Sequence, residues 1–208
     1  MNKYVMELIG TFFLVLTIGL TVILGGSGVI PPLAIGSILM VMIFAGGHIS
    51  GGHYNPAITL GVWLRGRCDT KDVAPYMVAQ TMGAVLAALA VKYLKGSATV
   101  STRELPVGPE LLAELLFTFA LVFVVLNTAT AKGTAGNSFY GLAIGFTVMA
   151  GAFAVGSIAS AAFNPAVAVG ISVMGMAAWS KIWIYLVANF FGGAMAAGAF
   201  KFMCPDDK

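Results

Sequence analysis

The feature that most constrains this chain is a short segment that occurs twice, at residues 49–61 and 158–170. Each copy has a run of small residues, then Asn-Pro-Ala, then an apolar run of roughly ten residues, too few to cross a bilayer. The two asparagines, Asn55 and Asn164, lie 109 positions apart. Proline costs no hydrogen bond at the first helical position, and asparagine is a favoured N-cap. Each copy is therefore predicted to form a loop, a cap and a half-helix.

The composition indicates a membrane protein. The chain has 208 residues, of which 59% are hydrophobic and only 9% are charged. A loop at membrane depth is tolerated only where protein covers it or where it lines a water-filled cavity. Two such loops predict a pore. The net charge is only +3 and the basic residues lie in connecting stretches, so nucleic acid is not expected as a partner.

Six apolar stretches are long enough to be membrane spans, which need about twenty residues. They are residues 4–25, 32–49, 73–93, 109–131, 139–158 and 177–203. The first has no small-residue cleavage site, so we expect a retained span rather than a signal peptide. The half-helices follow the second and the fifth spans. The predicted fold is thus an all-α membrane protein with six transmembrane helices and two re-entrant half-helices.

Three spans and one re-entrant segment form a unit that occurs twice. Because the number of spans per unit is odd, the second copy must be inverted relative to the first. The copies also agree outside the loops, where residues 7–15 resemble 114–122 and residues 80–83 resemble 189–192. Since inverted halves must clasp around one axis to bury their loops, we expect one domain, residues 1–208, with pseudo-repeats at about 1–98 and 108–208.

The distribution of basic residues predicts the orientation. One set of connecting segments carries Lys3, Arg65, Arg67, Lys71, Lys132, Lys201 and Lys208, and the other carries Lys92, Lys95, Arg103 and Lys181. The excess of basic residues, seven against four, favours the first side as cytoplasmic, which places both termini in the cytoplasm. Both cysteines, Cys68 and Cys204, then lie on the reducing side, so no disulfide is expected.

The paired motifs, with a following glycine at the same offset and repeating flanks, resemble the aquaporins, or major intrinsic proteins, over essentially the whole chain. The resemblance implies a passive channel in the cell (inner) membrane, a homotetramer with one pore in each subunit, and no cofactor. It assigns the centre of the pore to Asn55, Pro56, Ala57, Asn164, Pro165 and Ala166.

The two half-helices are predicted to meet near the midplane with their N-termini facing each other. Their positive dipole ends oppose a cation and leave a neutral solute unaffected. The two asparagine amides are expected to donate hydrogen bonds to a passing oxygen, as they do in aquaporins. Backbone carbonyls are expected to supply acceptors beside an apolar wall, which suits small neutral solutes. These carbonyls belong to Gly51, Gly52, His53, Tyr54, Ser160, Ala161 and Ala162.

Four ionisable residues need a separate interpretation. Glu7 and Glu114 lie inside predicted spans, where a carboxylate is costly and usually functional. They could relay protons, but their matched positions favour holding the N–H groups of the re-entrant loops, the role such glutamates have in aquaporins. His48 and His53 are five residues apart without an acidic companion, so no metal site is expected. By the same resemblance they brace a loop, as we expect for His48, or line the cytoplasmic vestibule.

The sequence departs from the family after the second motif. Most members have an arginine there, which forms the narrow outer filter with three other side chains, but this chain has Val167. The other filter positions correspond to Ile35, Ala152 and Ala161, so all four are apolar. We expect a wider and less polar filter, which argues against strict water selectivity and against a simple assignment to the glycerol group. Alternatively, the apolar ring wets poorly and conducts little.

No nucleophile and base pair, metal ligand set or phosphate loop is visible, so no enzyme is predicted. The candidate solutes are water, glycerol and other small polyols, urea, ammonia and uncharged metalloid hydroxides such as arsenous acid. Two other functions stay open at this point. One is a secondary transporter with inverted repeats, which needs a charged site at the midplane. The other is a structural membrane protein whose pore hardly conducts.

Overall fold

The structure is a computed structural model that describes residues 1–23, 28–96, 100, 102 and 104–207. Four features named above lie outside these residues: Gly25 at the end of the first predicted span, positions 97–98 at the end of the first pseudo-repeat, and the basic residues Arg103 and Lys208. Within the described residues the chain is entirely helical apart from its connections.

Eight α-helices are found in the described part of the chain. In chain order they are α1 (Asn2–Val22), α2 (Ile30–Ser50), α3 (Pro56–Leu64), α4 (Thr70–Lys95), α5 (Val107–Val125), α6 (Tyr140–Val155), α7 (Pro165–Val173) and α8 (Ile182–Met203). A wider helical turn, Leu126–Thr130, continues α5, and single tight turns occur at Lys132–Thr134 and Trp179–Lys181. The order of long and short helices is the predicted one.

Five of the described helices, α1, α2, α4, α5 and α8, are long and apolar enough to cross a membrane. The remaining predicted span, 139–158, corresponds to α6, a shorter apolar helix of 16 residues. Its hydrogen bonding continues for about one more turn, because Gly156 N–H donates to Ala152 O and Ala159 N–H donates to Val155 O. This fifth span therefore ends in a looser turn, which leads into the second Asn-Pro-Ala segment.

The half-helices α3 and α7 have nine residues each, about 14 Å of rise against a hydrocarbon core of about 30 Å. Each packs against a long helix of the other half of the sequence, α3 against α8 and α7 against α4. The long helices pair in equivalent ways, α1 with α4 and α5 with α8, while α2 packs on α6 across the two halves. The halves interlock through their half-helices.

Glycines allow the paired long helices to approach closely. A Cβ atom on Gly192 of α8 would lie 2.7 Å from the carbonyl oxygen of Leu115 and 3.1 Å from the amide nitrogen of Phe119, both in α5. Gly83 of α4 meets the carbonyl of Leu8 in α1 in the same way. These obstacles are backbone atoms, so any side chain at these positions forces the helices apart.

The C-terminal segment is tied to one end of the molecule. Asp207 accepts a hydrogen bond from Arg65 Nη2 at 2.6 Å and from the Lys132 N–H at 2.8 Å. The guanidinium of Arg65 also lies 4.6 Å from the centroid of the Phe200 ring. The Lys132 N–H, and then the charge of Arg65, hold the pKa of Asp207 below its ordinary value of 3.8. Three basic residues assigned above to one side of the membrane, Arg65, Arg67 and Lys132, thus gather around this carboxylate.

The close approach at Gly192 predicts a position-specific loss of stability. We expect Gly192→Ala to lower the free energy of unfolding by about 1–3 kcal/mol, because the methyl group meets backbone rather than a movable side chain. The matched control is Gly198→Ala in the same helix, where a Cβ meets nothing within 4 Å. Thermal unfolding in detergent measures both variants, and equal effects would contradict the packing argument.

The Asp207 contacts predict a pH-dependent attachment of the C-terminus. Since the pKa of Asp207 is lowered in the folded protein, its stabilisation is fully present above pH 3.8 and is lost as the pH falls through the lowered pKa. Asp207→Asn should therefore speed amide hydrogen exchange of residues 201–207 at neutral pH. In acid, the exchange rate of wild type, corrected for intrinsic exchange, should approach that of the variant. Asp69→Asn, whose carboxylate is exposed, is the control. Identical exchange of wild type and Asp207→Asn at pH 7 would refute the attachment.

Candidate solute pathway at the meeting point of the half-helices

The two asparagines cap their half-helices through their side chains. Asn55 Oδ1 accepts from the N–H of Ala57 at 2.8 Å, and Asn164 Oδ1 accepts from the N–H of Ala166 at 2.9 Å. Both asparagines have extended backbone conformations, as N-caps do, and each is followed by proline at the first helical position. The amide oxygen of each asparagine is therefore held by its own helix, which leaves the NH₂ group to other partners.

The NH₂ groups join the two loops reciprocally. Asn55 Nδ2 donates to the carbonyl of Phe163 at 2.8 Å, and Asn164 Nδ2 donates to the carbonyl of Tyr54 at 2.9 Å. An amide NH₂ has two donors, so each asparagine has one further N–H beyond this bond. The structure thus brings the two Asn-Pro-Ala motifs together from opposite halves of the sequence.

Backbone strain accompanies this arrangement. Tyr54 and Phe163, which directly precede the two asparagines, have φ of 49° and 48°, in the left-handed region that non-glycine residues rarely adopt. Ala161 has a φ of 51°. Such conformations cost about 1–3 kcal/mol each and persist only where the surroundings hold them. Here they accompany the two carbonyls that accept from the opposite asparagine.

The carboxylate of Glu7 organises the first loop. Its Oε1 accepts from the Ser50 hydroxyl at 2.7 Å and from the His53 N–H at 2.9 Å. Its Oε2 accepts from the Tyr54 N–H at 2.6 Å and from Gln80 Nε2 at 2.8 Å. The side chain is fully buried. Each carboxylate oxygen thus accepts two hydrogen bonds, which fills the capacity of the group.

Glu114 has the corresponding place in the second loop. Its Oε1 accepts from the Ala162 N–H at 2.8 Å, and its Oε2 accepts from the Phe163 N–H at 2.7 Å and from Asn189 Nδ2 at 3.0 Å. Glu114 is also fully buried. Gln80 and Asn189, which approach the two carboxylates, are 109 positions apart, so the bracing network follows the repeat.

The two histidines have different surroundings. His53 is buried, with Nδ1 3.1 Å from Thr59 Oγ1 and its ring 5.1 Å from the ring of Tyr76. His48 is exposed in the last turn of α2, and no hydrogen bond joins it to the loops within the described residues. The N–H groups of His53 and Tyr54 are held by Glu7, as expected for that glutamate, and a loop-bracing role of His48 stays a prediction. No group of three potential metal-binding side chains occurs in the described part of the chain.

A cavity of about 800 Å³ lies on one side of the asparagines. Both asparagines line it, and so do all four residues at the predicted filter positions, Ile35, Ala152, Ala161 and Val167. The walls that these four residues supply are therefore apolar.

A second cavity, of about 380 Å³, is lined by residues near the end of α2 and the start of α4, including Arg67, Cys68 and Asp72. His53 borders both cavities. The residues with predicted pore carbonyls divide between them: Gly51 and His53 border the smaller one, and His53, Tyr54, Ser160, Ala161 and Ala162 border the larger. Gly52 borders neither of these two cavities, and the motif residues Pro56, Ala57, Pro165 and Ala166 are buried behind them.

Three side chains that the sequence reasoning did not single out meet at the larger cavity. Ser160 lines the cavity, and its hydroxyl contacts Tyr185 and Glu110 behind it. Two patterns could have drawn attention to these residues. Glu110 is four positions before Glu114, hence on the same face of α5, and Tyr185 lies 109 positions after Tyr76, whose hydroxyl donates to the carbonyl of Ser50.

Comparison with known proteins identifies the family. The family model described as Major intrinsic protein matches residues 2–200. The chain is 32% identical to the glycerol uptake facilitator protein-like 6 of Lactiplantibacillus plantarum, with all of both chains covered. It is also 32% identical to the probable aquaporin NIP4-2 of Arabidopsis thaliana, where the alignment covers all of this chain and 76% of the relative.

The aquaglyceroporin from Plasmodium falciparum has the same fold, with a TM-score of 0.82 over 98% of this chain and 97% of that one, at 20% sequence identity. The match over nearly the whole sequence confirms the predicted architecture and excludes an enzyme, since the members of this family are channels. It also makes the protein an integral membrane protein. The chain belongs to the major intrinsic protein family of membrane channels for water and small solutes.

Proposed function

We propose that this protein is a passive channel for small neutral solutes that include molecules larger than water, such as glycerol-like polyols and uncharged metalloid hydroxides. One observation carries the proposal: all four filter positions are apolar and line the 800 Å³ cavity together with the two asparagines. Val167 presents neither the bulk nor the charge of an arginine, and Ala152 and Ala161 are methyl-sized. Water passes by the same route, and urea and ammonia fit the same opening.

In this channel the two asparagines supply the donors at the centre. Each has one N–H beyond the bond to the opposite loop, and that N–H serves the oxygen of a passing solute. The carbonyls that border the cavities supply acceptors, so a solute exchanges its hydration for ordered partners. The Pro-Ala pairs behind the asparagines hold the helix starts in place.

Cation exclusion rests on the half-helices. The N-termini of α3 and α7 meet at the asparagines, and each contributes about half a positive charge there. A neutral solute gains or loses little in this field. Since the filter has no arginine, the dipoles and the cost of dehydration must exclude cations without its help.

The channel is proposed to be a homotetramer in the inner cell membrane, with one pore in each subunit. Large apolar side chains are exposed along the long helices, for example Phe13, Leu89, Leu116, Phe146 and Phe191, and these suit lipid or neighbouring subunits. The basic cluster of Arg65, Arg67 and Lys132 favours that end as the cytoplasmic side, with both termini there.

A proton-coupled transporter is the main rival, and it would use Glu7 or Glu114. Their oxygens already accept from loop N–H groups, and Glu7 accepts four hydrogen bonds. A relay carboxylate must exchange its proton with the pathway, which these contacts oppose. A non-conducting structural role makes no use of a cavity at the filter.

The bracing contacts predict that Glu7→Gln and Glu114→Gln destabilise the protein rather than remove a coupled activity. A glutamine turns an NH₂ group toward backbone donors, so at least one buried N–H loses its partner, at about 1–3 kcal/mol for each variant. Thermal unfolding in detergent measures the loss, with Glu104→Gln, whose side chain is 85% exposed, as the control. A variant that stays as stable as wild type but loses a pH-driven flux would favour the relay.

The filter predicts a change of selectivity in Val167→Arg. The guanidinium narrows the opening and adds a positive charge, so flux of glycerol and arsenous acid should fall at least about tenfold, the effect of about 1.4 kcal/mol of barrier. Water flux should fall much less. Stopped-flow measurements on proteoliposomes without any ion gradient give both values.

The control for this substitution is Val167→Met, which lengthens the side chain without a charge, and size-exclusion chromatography confirms that each variant assembles. The wide filter is refuted if wild type conducts water but excludes every larger neutral solute. An unchanged ratio of glycerol to water flux in Val167→Arg refutes it as well.

A further inference from the structure

We propose that Ser160 is a specificity-determining residue of the pore: its hydroxyl oxygen, held by Tyr185 and Glu110, accepts hydrogen bonds from solutes that carry O–H groups. This inference rests on the proposed function and identifies the solute chemistry that the apolar filter favours. It concerns a side chain next to Ala161, at a point where the four filter side chains offer no polar atom.

The geometry is a short chain of hydroxyl groups that ends on a buried carboxylate. Tyr185 Oη lies 2.8 Å from Ser160 Oγ and 2.7 Å from Glu110 Oε1, while Ser160 Oγ lies 3.3 Å from the same carboxylate oxygen. Glu110 is 1% exposed and Tyr185 is equally buried. Ser160 is only half-buried, because it borders the 800 Å³ cavity.

The directions of these hydrogen bonds follow from the number of protons. A carboxylate can only accept, so the single hydroxyl proton of Tyr185 goes to Glu110 at the shorter distance. Ser160 then donates its own proton to Tyr185 Oη or to Glu110. The lone pairs of Ser160 Oγ that remain are available to the cavity. Because each bond in such a chain polarises the next, the charge on Glu110 makes this oxygen a stronger acceptor than an isolated serine.

The carboxylate has a defined counter-charge. Glu110 Oε2 accepts no hydrogen bond within the described residues and lies 3.9 Å from Lys181 Nζ. Lys181 in turn donates to the carbonyl of Leu105 at 2.6 Å. Its Nζ also lies 3.6 Å from the exposed carboxylate of Glu104. Of the two acids, Glu110 is the one that contacts Ser160 and Tyr185.

The first half of the chain lacks this arrangement although it has the corresponding residues. Lys3 has the position in α1 that Glu110 has in α5, and Asp72 has the position in α4 that Lys181 has before α8. They also form an ion pair, at 2.5 Å, with the charges exchanged. Tyr76, the equivalent of Tyr185, donates to a backbone carbonyl instead of to an acid. The fold therefore needs an ion pair at this place but no hydrogen bond from the tyrosine to its acid, so the bond from Tyr185 to Glu110 in the second half has a separate role.

The expected solute has several O–H donors. At the second loop the cavity offers Ser160 Oγ and nearby carbonyls, which are acceptors, and no guanidinium of the described residues borders it. A polyol or a neutral hydroxide replaces lost water bonds there, whereas a solute that only accepts hydrogen bonds does not. Ser160 thus favours solutes that donate hydrogen bonds over solutes of similar size that only accept them.

The test compares glycerol, which donates through its hydroxyl groups, with dimethyl sulfoxide, which only accepts, and with water, in proteoliposomes corrected for the permeability of the lipid alone. Ser160→Ala should lower glycerol permeability about fivefold, the range of one net hydrogen bond, with little effect on dimethyl sulfoxide. Ser160→Thr keeps the hydroxyl and should keep the ratio. Tyr185→Phe breaks the chain and should lower the ratio to an intermediate value.

The control is Ser172→Ala, which removes a buried hydroxyl that has no hydrogen-bond partner among the described residues and does not border the cavity. A uniform drop for all three solutes in Ser160→Ala, or an unchanged ratio of glycerol to dimethyl sulfoxide, overturns the role of Ser160. If wild type conducts water and glycerol but Ser160→Ala leaves the ratio of glycerol to dimethyl sulfoxide permeability unchanged, only this inference fails. If wild type conducts no neutral solute at all, the proposed function fails with it.

Discussion

Backbone groups at membrane depth need hydrogen-bond partners within the protein, and the rest of this structure depends on how two loops meet that requirement. In each loop two adjacent N–H groups donate to one buried glutamate, and one carbonyl accepts from the asparagine of the other loop. Because the asparagine and its carbonyl belong to different halves of the chain, neither loop is fully satisfied alone. The two halves must therefore assemble together, and this explains why each half-helix packs on a span of the opposite half.

The same contacts allow a strained backbone to persist. Tyr54 and Phe163 remain in the left-handed region because their N–H groups are held by glutamate and their carbonyls by asparagine. The ring of Tyr54 also fills the space between α1 and α2, where Gly10 and Gly46 leave room for it. The centre of the pathway is thus built from fixed donors and acceptors, which favours a passive route over one that requires large movements.

The repeat in the sequence predicted most of this architecture because it contains its own structural signals. Asn-Pro-Ala specifies a cap and a helix start, and the length of each apolar run separates spans from half-helices. The contacts of the C-terminal segment were not predictable, since Arg65 and Asp207 are 142 positions apart and nothing local in either residue indicates the other. The exposure of His48 was equally hidden, because its position near a loop says nothing about which way its helix faces. The chain from Ser160 to Glu110 depends on three elements packing together, so only the structure brings it into view.

The two halves share one fold but differ around the proposed filter. At the centre, the asparagines and glutamates repeat with the same roles, since the backbone of each loop makes the same demands. Away from the centre the repeat conserves the ion pair but exchanges its charges, so that the acid belongs to α5 in the second half and to α4 in the first. An ion pair with either order of charges can stabilise the fold. The order found here gives one side of the pathway a polarised acceptor beside an apolar filter, and that asymmetry is a property of the solute route rather than of the fold.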